Sequence, residues 1–225
     1  MIKCYLLKVK IIFIFVVIAL FFSSCANIYT HPNAMYYTVK HKTLAILPPD
    51  VKIEENKTKK AQNIESKLEL EKVITINAQN EIYSNLLKFV HKRKVYFDIQ
   101  NIDRTNAMLL KIGYSDTTKL LPEELAQALG VDAILQSTFI LSQRYNVGGG
   151  IVLAIIGFPY YTPFGILMAT QPSRFADVNI RFFEGSNGIL LYNYNHKFGG
   201  LNAKYISLIG KATNKIVKKS PYYSK

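Results

Sequence analysis

The side chains that could carry chemistry are few and widely separated. The chain of 225 residues contains two cysteines, Cys4 and Cys25, and four histidines: His31, His41, His91 and His196. None of the histidines has a second histidine at the i, i+4 spacing of a helical metal pair. A G-x-S-x-G nucleophile motif and a G-x-G-x-x-G phosphate loop are both missing, and Ala212 replaces the Ser or Thr of a Walker sequence. The sequence therefore predicts no catalytic residue, no metal and no cofactor, and an enzyme of unrecognised type is the weakest interpretation.

Cys25 is distinguished by what precedes it. Met1 to Lys10 contains three lysines and no acid, and Ile11 to Phe22 is a run of twelve residues without a polar side chain. Two serines then precede the cysteine. Basic, short apolar and small-residue segments in this order are typical of a secretory signal. A spanning helix needs about 20 apolar residues, so this run is too short to be one. The sequence predicts a signal peptide over residues 1–24, cleaved between Ser24 and Cys25.

The residues at the cleavage point, Phe22-Ser23-Ser24-Cys25, resemble the lipobox of bacterial lipoproteins. The resemblance implies that the Cys25 thiol carries a diacylglycerol, in which each buried CH₂ contributes about 0.8 kcal/mol to membrane attachment. It also implies the proteobacterial sorting rule, in which Asp after the cysteine retains a lipoprotein in the inner membrane. Ala26 stands there instead, so we expect an outer-membrane protein that faces the periplasm. The alternative is an ordinary secreted protein in which Cys25 has no such role.

The composition fits a folded domain outside the cytoplasm. With Cys4 removed and Cys25 acylated, no disulfide remains, so a hydrophobic core must supply the stability. Hydrophobic residues make up 49% of the chain, which is enough for a packed domain. Residues 26–132 hold fifteen basic and thirteen acidic side chains, whereas residues 133–225 hold ten basic and two acidic ones. A cationic exported chain favours anionic lipid, lipopolysaccharide or cell-wall polymer over nucleic acid as a partner.

The first half of the chain alternates strand and helix patterns. Residues 25–42 show no sustained period and predict a lipidated tether. Residues 43–49 predict a buried strand stopped by a proline pair, and the charged residues 50–66 predict a solvated loop. A long helix follows, with apolar residues at every fourth position of one face: Leu70, Ile74, Ala78, Ile82, Leu86 and Val90. Residues 95–99 are β-branched and aromatic and predict a second strand.

Two shorter helices and a third strand continue the alternation. Asp103 is expected to cap a helix over residues 104–112, which the following glycine ends. Pro122 begins another helix with acids in its first turn, and Gly130 ends it. Residues 131–141 then predict a buried strand. Strands that alternate with helices require crossover connections, which produce an α/β layered domain.

The last part of the chain predicts an antiparallel hairpin and a final helix. Residues 176–183 alternate apolar and polar side chains, and a glycine-containing turn at 184–188 leads into a partner strand that Gly199-Gly200 breaks. The final helix is expected to bury Ile206, Ile209, Thr213 and Ile216. We therefore expect an α/β domain over residues 43–220. Its central mixed sheet is flanked by helices in the order β-α-β-α-α-β-β-β-α.

The final helix carries lysines opposite its apolar face: Lys204, Lys211, Lys215 and Lys218. A face of this kind is usually only solvated, and the alternative is a contact with an anionic partner. The sequence leaves both interpretations open.

A Gly- and Pro-rich apolar insertion, residues 146–172, interrupts the domain, and its stretch 148–169 has no charged side chain. Pro159 and Pro163 argue against a spanning helix. The stretch is either a loop folded over the protein's own core or an exposed flap that enters the membrane face or a neighbouring subunit. In the second case its apolar side chains would make the contact: Ile151, Leu153, Ile155, Phe158, Tyr160, Tyr161, Phe164 and Leu167.

Three segments together resemble a known group of proteins: residues 43–49 (TLAILPP), 125–135 (LAQALGVDAIL) and 176–183 (ADVNIRFF). Their order and spacing are similar to those of outer-membrane lipoproteins related to the curli secretion protein CsgG, of the N-terminal domain of TolB, and of the penicillin-binding-protein activator lipoproteins. The resemblance covers residues 43–142 and 175–219. It implies a sheet flanked by helices and a role in envelope assembly, secretion or transport. The CsgG pore, however, is built from long alternating hairpins, and residues 148–169 lack that alternation.

The predicted function is that of a non-enzymatic, periplasm-facing outer-membrane lipoprotein that acts in the cell envelope as part of an oligomer or complex. The alternative is a regulatory binding module that activates a cell-wall synthase through the sheet or the final helix. The expected partners are the outer membrane, further copies or envelope proteins, and an anionic envelope polymer. Nucleic acid is not an expected partner.

Overall fold

The structure is a computed structural model that describes residues 27–54, 64–93, 97–114, 120–145, 172–201 and 203–222. The signal peptide, Cys25 and the stretch 148–169 lie outside these residues. The described strands are β1 Asn27–Thr30, β2 Thr43–Ile46, β3 Asp50–Glu54, β4 Asp98–Ile99, β5 Ala133–Tyr145, β6 Pro172–Glu184 and β7 Leu190–Leu201. The described helices are α1 Ala34–Thr38, α2 Ile64–Arg93, α3 Ile102–Lys111, α4 Pro122–Leu129 and α5 Tyr205–Val217.

The strands form one seven-stranded mixed sheet. Its order is β1-β7-β6-β5-β2-β4, and β3 also pairs with β5, beyond the end of β2. Strand β2 pairs parallel with β4 and β5, and β3 pairs parallel with β5. The pairs β5–β6, β6–β7 and β7–β1 are antiparallel. The helices pack against this sheet, so the predicted mixed α/β fold is confirmed.

The long strands β5, β6 and β7 form the centre of the sheet. Strands β5 and β6 pair from Ala133 opposite Glu184 to Tyr145 opposite Pro172. The alternation predicted for residues 176–183 is present, because Val178 and its i+2 neighbours are buried while the residues between them are partly exposed. A strand with this period buries one face and leaves the other for solvent or for a partner.

Helices α2 and α5 cover one face of the sheet and enclose the larger hydrophobic core. Four of the six residues predicted for the buried face of α2 are buried: Ile74, Ala78, Ile82 and Leu86. Val90 is partly buried against the same core. Leu70 was predicted wrongly, because its side chain is 48% exposed. It lies in the first two turns of α2, and the contribution of this helix to the core begins only at Ile74.

Helices α3 and α4 cover the opposite face at β2, the beginning of β5 and the end of β6. The smaller core there consists of Ala45, Leu47, Leu109, Leu125, Ala126, Leu129, Val131 and Ile134. Helix α4 begins at Pro122 and is followed by Gly130 at φ +66°, as predicted. The cap of α3 differs from the prediction. Asn101 accepts hydrogen bonds from the N–H groups of Asp103 and Arg104, so Asp103 lies in the first turn and is not the cap.

The segment predicted as a tether is part of the folded body from Asn27 onward. Strand β1 pairs antiparallel with β7 at the edge of the sheet, with Asn27 opposite Asn195, and His41 is buried. The four side chains of β1 are exposed. Backbone hydrogen bonds alone hold this strand to the sheet, so it has no apolar periodicity that the sequence could reveal.

Two further expectations were wrong. Residues 50–54, predicted as loop, form β3, in which Val51 is buried between the exposed Asp50 and Lys52. Gly199-Gly200, predicted to break the last strand, stays paired within β7. A Cβ on Gly199 would lie 2.6 Å from the Phe175 ring, so this glycine allows close cross-strand packing. Only Asp98–Ile99 of the strand predicted over residues 95–99 is a strand, and residues 95 and 96 lie outside the described ranges.

Candidate functional site

The residues predicted to be lipidated, cleaved or inserted are not described by the structure. Ser24, Cys25 and the eight apolar residues of the insertion lie outside the described ranges. Their predicted roles stay predictions. The structure does place the flanking residues, since β1 begins two residues after Cys25, and Tyr145 and Pro172 are direct partners in the sheet.

The lysine face of α5 is at the protein surface. Lys204, Lys211 and Lys218 are exposed, whereas Lys215 is partly buried with its Nζ 5.8 Å from the centre of the Phe198 ring. On the apolar face, Ile209, Thr213 and Ile216 are buried as predicted, and Ile206 is only partly buried against the core.

The field of these cations reaches the neighbouring strand. Burial, followed by the charges of Lys215 and Lys219, lowers the pKa of His196 below its usual value, while Asp177 opposes this effect. The charges of Lys215 and Lys219 thus act on His196 of β7. An anionic partner at the lysine face stays a prediction.

A buried polar network that the sequence analysis missed joins three distant parts of the chain. His41 Nε2 lies 2.6 Å from Glu184 Oε2, and His41 Nδ1 lies 2.6 Å from the Tyr222 hydroxyl. The three residues are only 5%, 7% and 7% exposed. His41 precedes β2, Glu184 ends β6 and Tyr222 follows α5. No sequence motif could have revealed the network, because its members are 143 and 181 positions apart.

The hydrogen-bond roles in this network follow from the chemistry of the groups. A carboxylate can only accept, so in the neutral imidazole the Nε2–H donates to Glu184 and Nδ1 accepts from the Tyr222 hydroxyl. Burial, together with the negative charges of Glu184 and Asp132, raises the pKa of Tyr222 far above its usual value. Ser186 adds a hydrogen bond from its hydroxyl to Glu184 Oε1 at 3.2 Å.

The order acid, histidine, hydroxyl is also the order of a chain that activates a nucleophile. Here Tyr222 lies in the hydrophobic core. Its ring is also packed against Phe97 and Phe182, at centroid distances of 4.8 and 5.6 Å. A substrate has no access to a residue that is 7% exposed. The network therefore ties the segment after α5 to β6 and to the residues before β2.

Asp132 fixes the start of β2 beside this network. Its Oδ2 accepts hydrogen bonds from the N–H groups of Lys42 and Thr43 at 2.8 and 2.9 Å, and from the Thr43 hydroxyl at 3.1 Å. Burial opposes ionisation of Asp132, but these hydrogen bonds and the nearby His41 outweigh it and hold its pKa below the usual value. The Asp132 carboxylate is thus the hydrogen-bond acceptor for the backbone N–H groups of Lys42 and Thr43.

The face of β5, β6 and β7 that α2 and α5 do not cover is polar. Two cross-strand rows run over it: Gln136, Arg181, Asn193 and Tyr29, and Thr138, Asn179, Asn195 and Asn27. Asn179 Oδ1, Arg181 Nε and Asn193 Oδ1 are shielded from solvent, and no hydrogen-bond partner for them exists among the described residues. We call these two rows the polar sheet face. Unpaired buried polar atoms are costly, so they mark positions where a partner group would be stabilising.

Within the described ranges, no three His, Cys, Asp or Glu side chains are close enough together to hold a metal ion. None of the helices in the described part of the chain is both long and apolar enough to cross a membrane.

Comparison with known proteins finds similarity at the level of solved structures. No family model and no curated protein matches the chain. The chain is similar to lipoprotein GNA1162 from Neisseria meningitidis, with 13% identity, 79% of this chain and 96% of that chain covered, and a TM-score of 0.44. A PelC dodecamer from Paraburkholderia phytofirmans gives 10% identity, 90% and 99% coverage, and a TM-score of 0.39. The LpoB C-terminal domain from Escherichia coli gives 9% identity, 70% and 82% coverage, and a TM-score of 0.30. At these identities and TM-scores the similarities assign no function to this chain.

Proposed function

We propose that this chain is a non-enzymatic lipoprotein of the bacterial envelope, anchored through Cys25 in the outer membrane, facing the periplasm and working in an oligomer or complex. One observation carries the proposal. The predicted cleavage point lies shortly before the first described strand, because residues 1–24 have the features of a signal peptide and β1 begins at Asn27. The body therefore follows the anchor almost directly.

A role without catalysis is supported by the burial of the His41–Glu184–Tyr222 network. Among the described residues this network has the order of a nucleophile chain, yet its hydroxyl belongs to a residue that is buried in the core. A binding or assembly role requires surfaces instead. The described residues offer two, the lysine face of α5 and the polar sheet face, and the sequence predicts a third in the apolar insertion.

The anchor is tested by metabolic labelling with a fatty-acid probe. The chain as it stands should incorporate the probe and fractionate with the outer membrane. The variant Cys25→Ala should remain an unlabelled precursor that retains residues 1–24. Labelling that is equal in both would refute acylation of Cys25. Fractionation of the labelled chain with the inner membrane would refute the location predicted from Ala26 while leaving the anchor in place.

Assembly through the insertion is tested by deleting residues 148–169. Tyr145 and Pro172 are partners in the sheet, so the four residues that remain between them can close the β5–β6 hairpin without disturbing either strand. A matched control replaces the same stretch by a Gly/Ser sequence of equal length. We expect both variants to lose oligomers in crosslinking and mass photometry. Unchanged assembly would reject this role for the insertion.

The alternative function, activation of a cell-wall synthase, is favoured by the polar sheet face. The side chains of Asn179 and Arg181 are partly exposed there and offer amide and guanidinium groups to the backbone of a partner protein. The double variant Asn179→Ala/Arg181→Ala should then reduce recovery of a penicillin-binding protein from detergent extracts. Lys88→Ala serves as control, because Lys88 is exposed on α2, which covers the other face. Equal recovery with both variants would remove this alternative.

A further inference from the structure

The described chain enters the sheet at one end, at Asn27. Strand β1 runs antiparallel to β7, and its first residue, Asn27, lies opposite Asn195. Cys25 precedes Asn27 by two residues in the sequence. Because the two strands are antiparallel, residues that precede Asn27 in the sequence follow the direction of β7 from Asn195 toward Lys197. We call this end of the sheet, defined by Asn27, Lys197 and the Tyr145–Pro172 pair, the anchor end.

The apolar insertion is joined to the sheet at the same end. Strand β5 finishes and β6 begins there, with Tyr145 opposite Pro172, and Ser173 lies opposite Leu201 at the end of β7. Two parts of the chain with membrane character, the acylated cysteine and the charge-free stretch 148–169, are thus covalently tied to one end of the body. Asn27 and Tyr145, the points at which they join the sheet, are 118 residues apart in sequence, and strand pairing places both at this end.

The charges at the anchor end are mixed. Lys204 is exposed at the start of α5, and Lys197, whose side chain is 54% exposed, lies 3.9 Å from Asp177. Surface pairs of this kind contribute little. Glu54 at the end of β3 is a further exposed acid there. Orientation at a membrane must therefore follow from where the chain leaves the body and not from charge.

The opposite end of the sheet has the character of a solvated tip. The β6–β7 turn lies there, and its residues Ser186 and Asn187 are exposed and polar. Strand β7 begins at Leu190, seven residues before Lys197, and a strand advances about 3.3 Å per residue, so the start of β7 and Lys197 are roughly 23 Å apart.

We propose that the anchor end faces the phospholipid leaflet and that the β6–β7 turn points away from it. The inference rests on the proposed lipid anchor and adds an orientation to it. With only one residue between Cys25 and β1, the body cannot reorient freely on its anchor, as it could on a seventeen-residue tether. The strands then stand on the membrane with β7 ending beside the lipid headgroups.

The orientation is tested with single labelled cysteines. Cys4 leaves with the signal peptide and Cys25 is a thioether in the lipidated protein, so an introduced cysteine is the only free thiol. Lys197→Cys and Asn187→Cys are each labelled with a fluorophore, and Lys204→Cys gives a second position near the anchor end. The lipidated proteins are reconstituted in phosphatidylethanolamine–phosphatidylglycerol vesicles whose acyl chains carry bromine.

Quenching at positions 197 and 204 should exceed quenching at position 187 several-fold. Equal quenching, or stronger quenching at position 187, would overturn the orientation. Intact-mass analysis of the same samples separates the two claims. A protein without the diacylglyceryl mass would refute the proposed anchor, whereas a lipidated protein with the wrong quenching pattern would refute the orientation alone.

Discussion

Substitution of Tyr222 tests whether the buried network holds the fold together. In Tyr222→Phe the ring keeps its contacts with Phe97 and Phe182, and only the hydroxyl 2.6 Å from His41 Nδ1 is lost. The variant leaves a buried ring nitrogen without its partner, which costs about 1–3 kcal/mol of the free energy of unfolding. Tyr222→Ala also removes the ring from the core and should cost about 3–5 kcal/mol.

The free energies of unfolding are measured by urea denaturation of the mature chain in detergent. The difference between the Phe and Ala variants separates the hydrogen bond from the packing. A background variant, His41→Ala, supplies the control, because without the ring nitrogen the additional cost of Tyr222→Phe should fall toward zero. A Tyr222→Phe variant within about 0.5 kcal/mol of the parent, or an equal cost in both backgrounds, would refute the network as a stabilising element.

Three other outcomes follow from the described contacts. Asp132→Ala should lower the free energy of unfolding by about 1–3 kcal/mol. Because the folded pKa of Asp132 lies below 3.8, its stabilisation is present above that pH and lost as pH falls further, so Asp132→Asn should flatten acid denaturation below pH 4, and a parallel curve would contradict this. Gly185→Ala would place a Cβ 2.6 Å from the Asp132 carbonyl oxygen and should cost about 1–3 kcal/mol by denaturation, against which unchanged stability would count. Burial raises the pKa of Tyr194 to about 12, so its stabilisation is complete below pH 10 and lost as pH rises toward 12; Tyr194→Phe should flatten that loss in a series of denaturation curves, and an equally steep loss would be evidence against it.

Local sequence patterns predicted the elements whose burial is periodic. The four-residue repeat of α2 and the alternation of residues 176–183 each report one buried face, and both elements are present. Pro122 and Gly130 act through backbone conformation alone, so the limits of α4 were also predictable.

Edge strands and long-range contacts could not be predicted in this way. Strand β1 is held by backbone hydrogen bonds and buries no side chain, so its sequence resembles a linker. A glycine such as Gly199 is typical of the end of a strand. It stays paired in β7, where the Phe175 ring occupies the space that a side chain would need. The partners of His41 depend on the pairing of the whole sheet, which no local pattern encodes.

Part of the candidate site could likewise be predicted from local sequence, and part of it could not. The predicted lipidation of Cys25 depends only on the residues next to it, so a short motif is enough to predict it. The polar sheet face arises only when β5, β6 and β7 pair, since its rows join residues from separate strands. For the same reason, the shared end of the sheet that joins Cys25 to the insertion is visible only in the fold.

Intact-mass analysis of the protein purified from native membranes tests the central claim most directly. We expect a chain that begins at Cys25, lacks residues 1–24 and carries the mass of a diacylglyceryl group on the cysteine sulfur. A chain that still begins at Met1, or one with a free thiol at Cys25, would contradict the account.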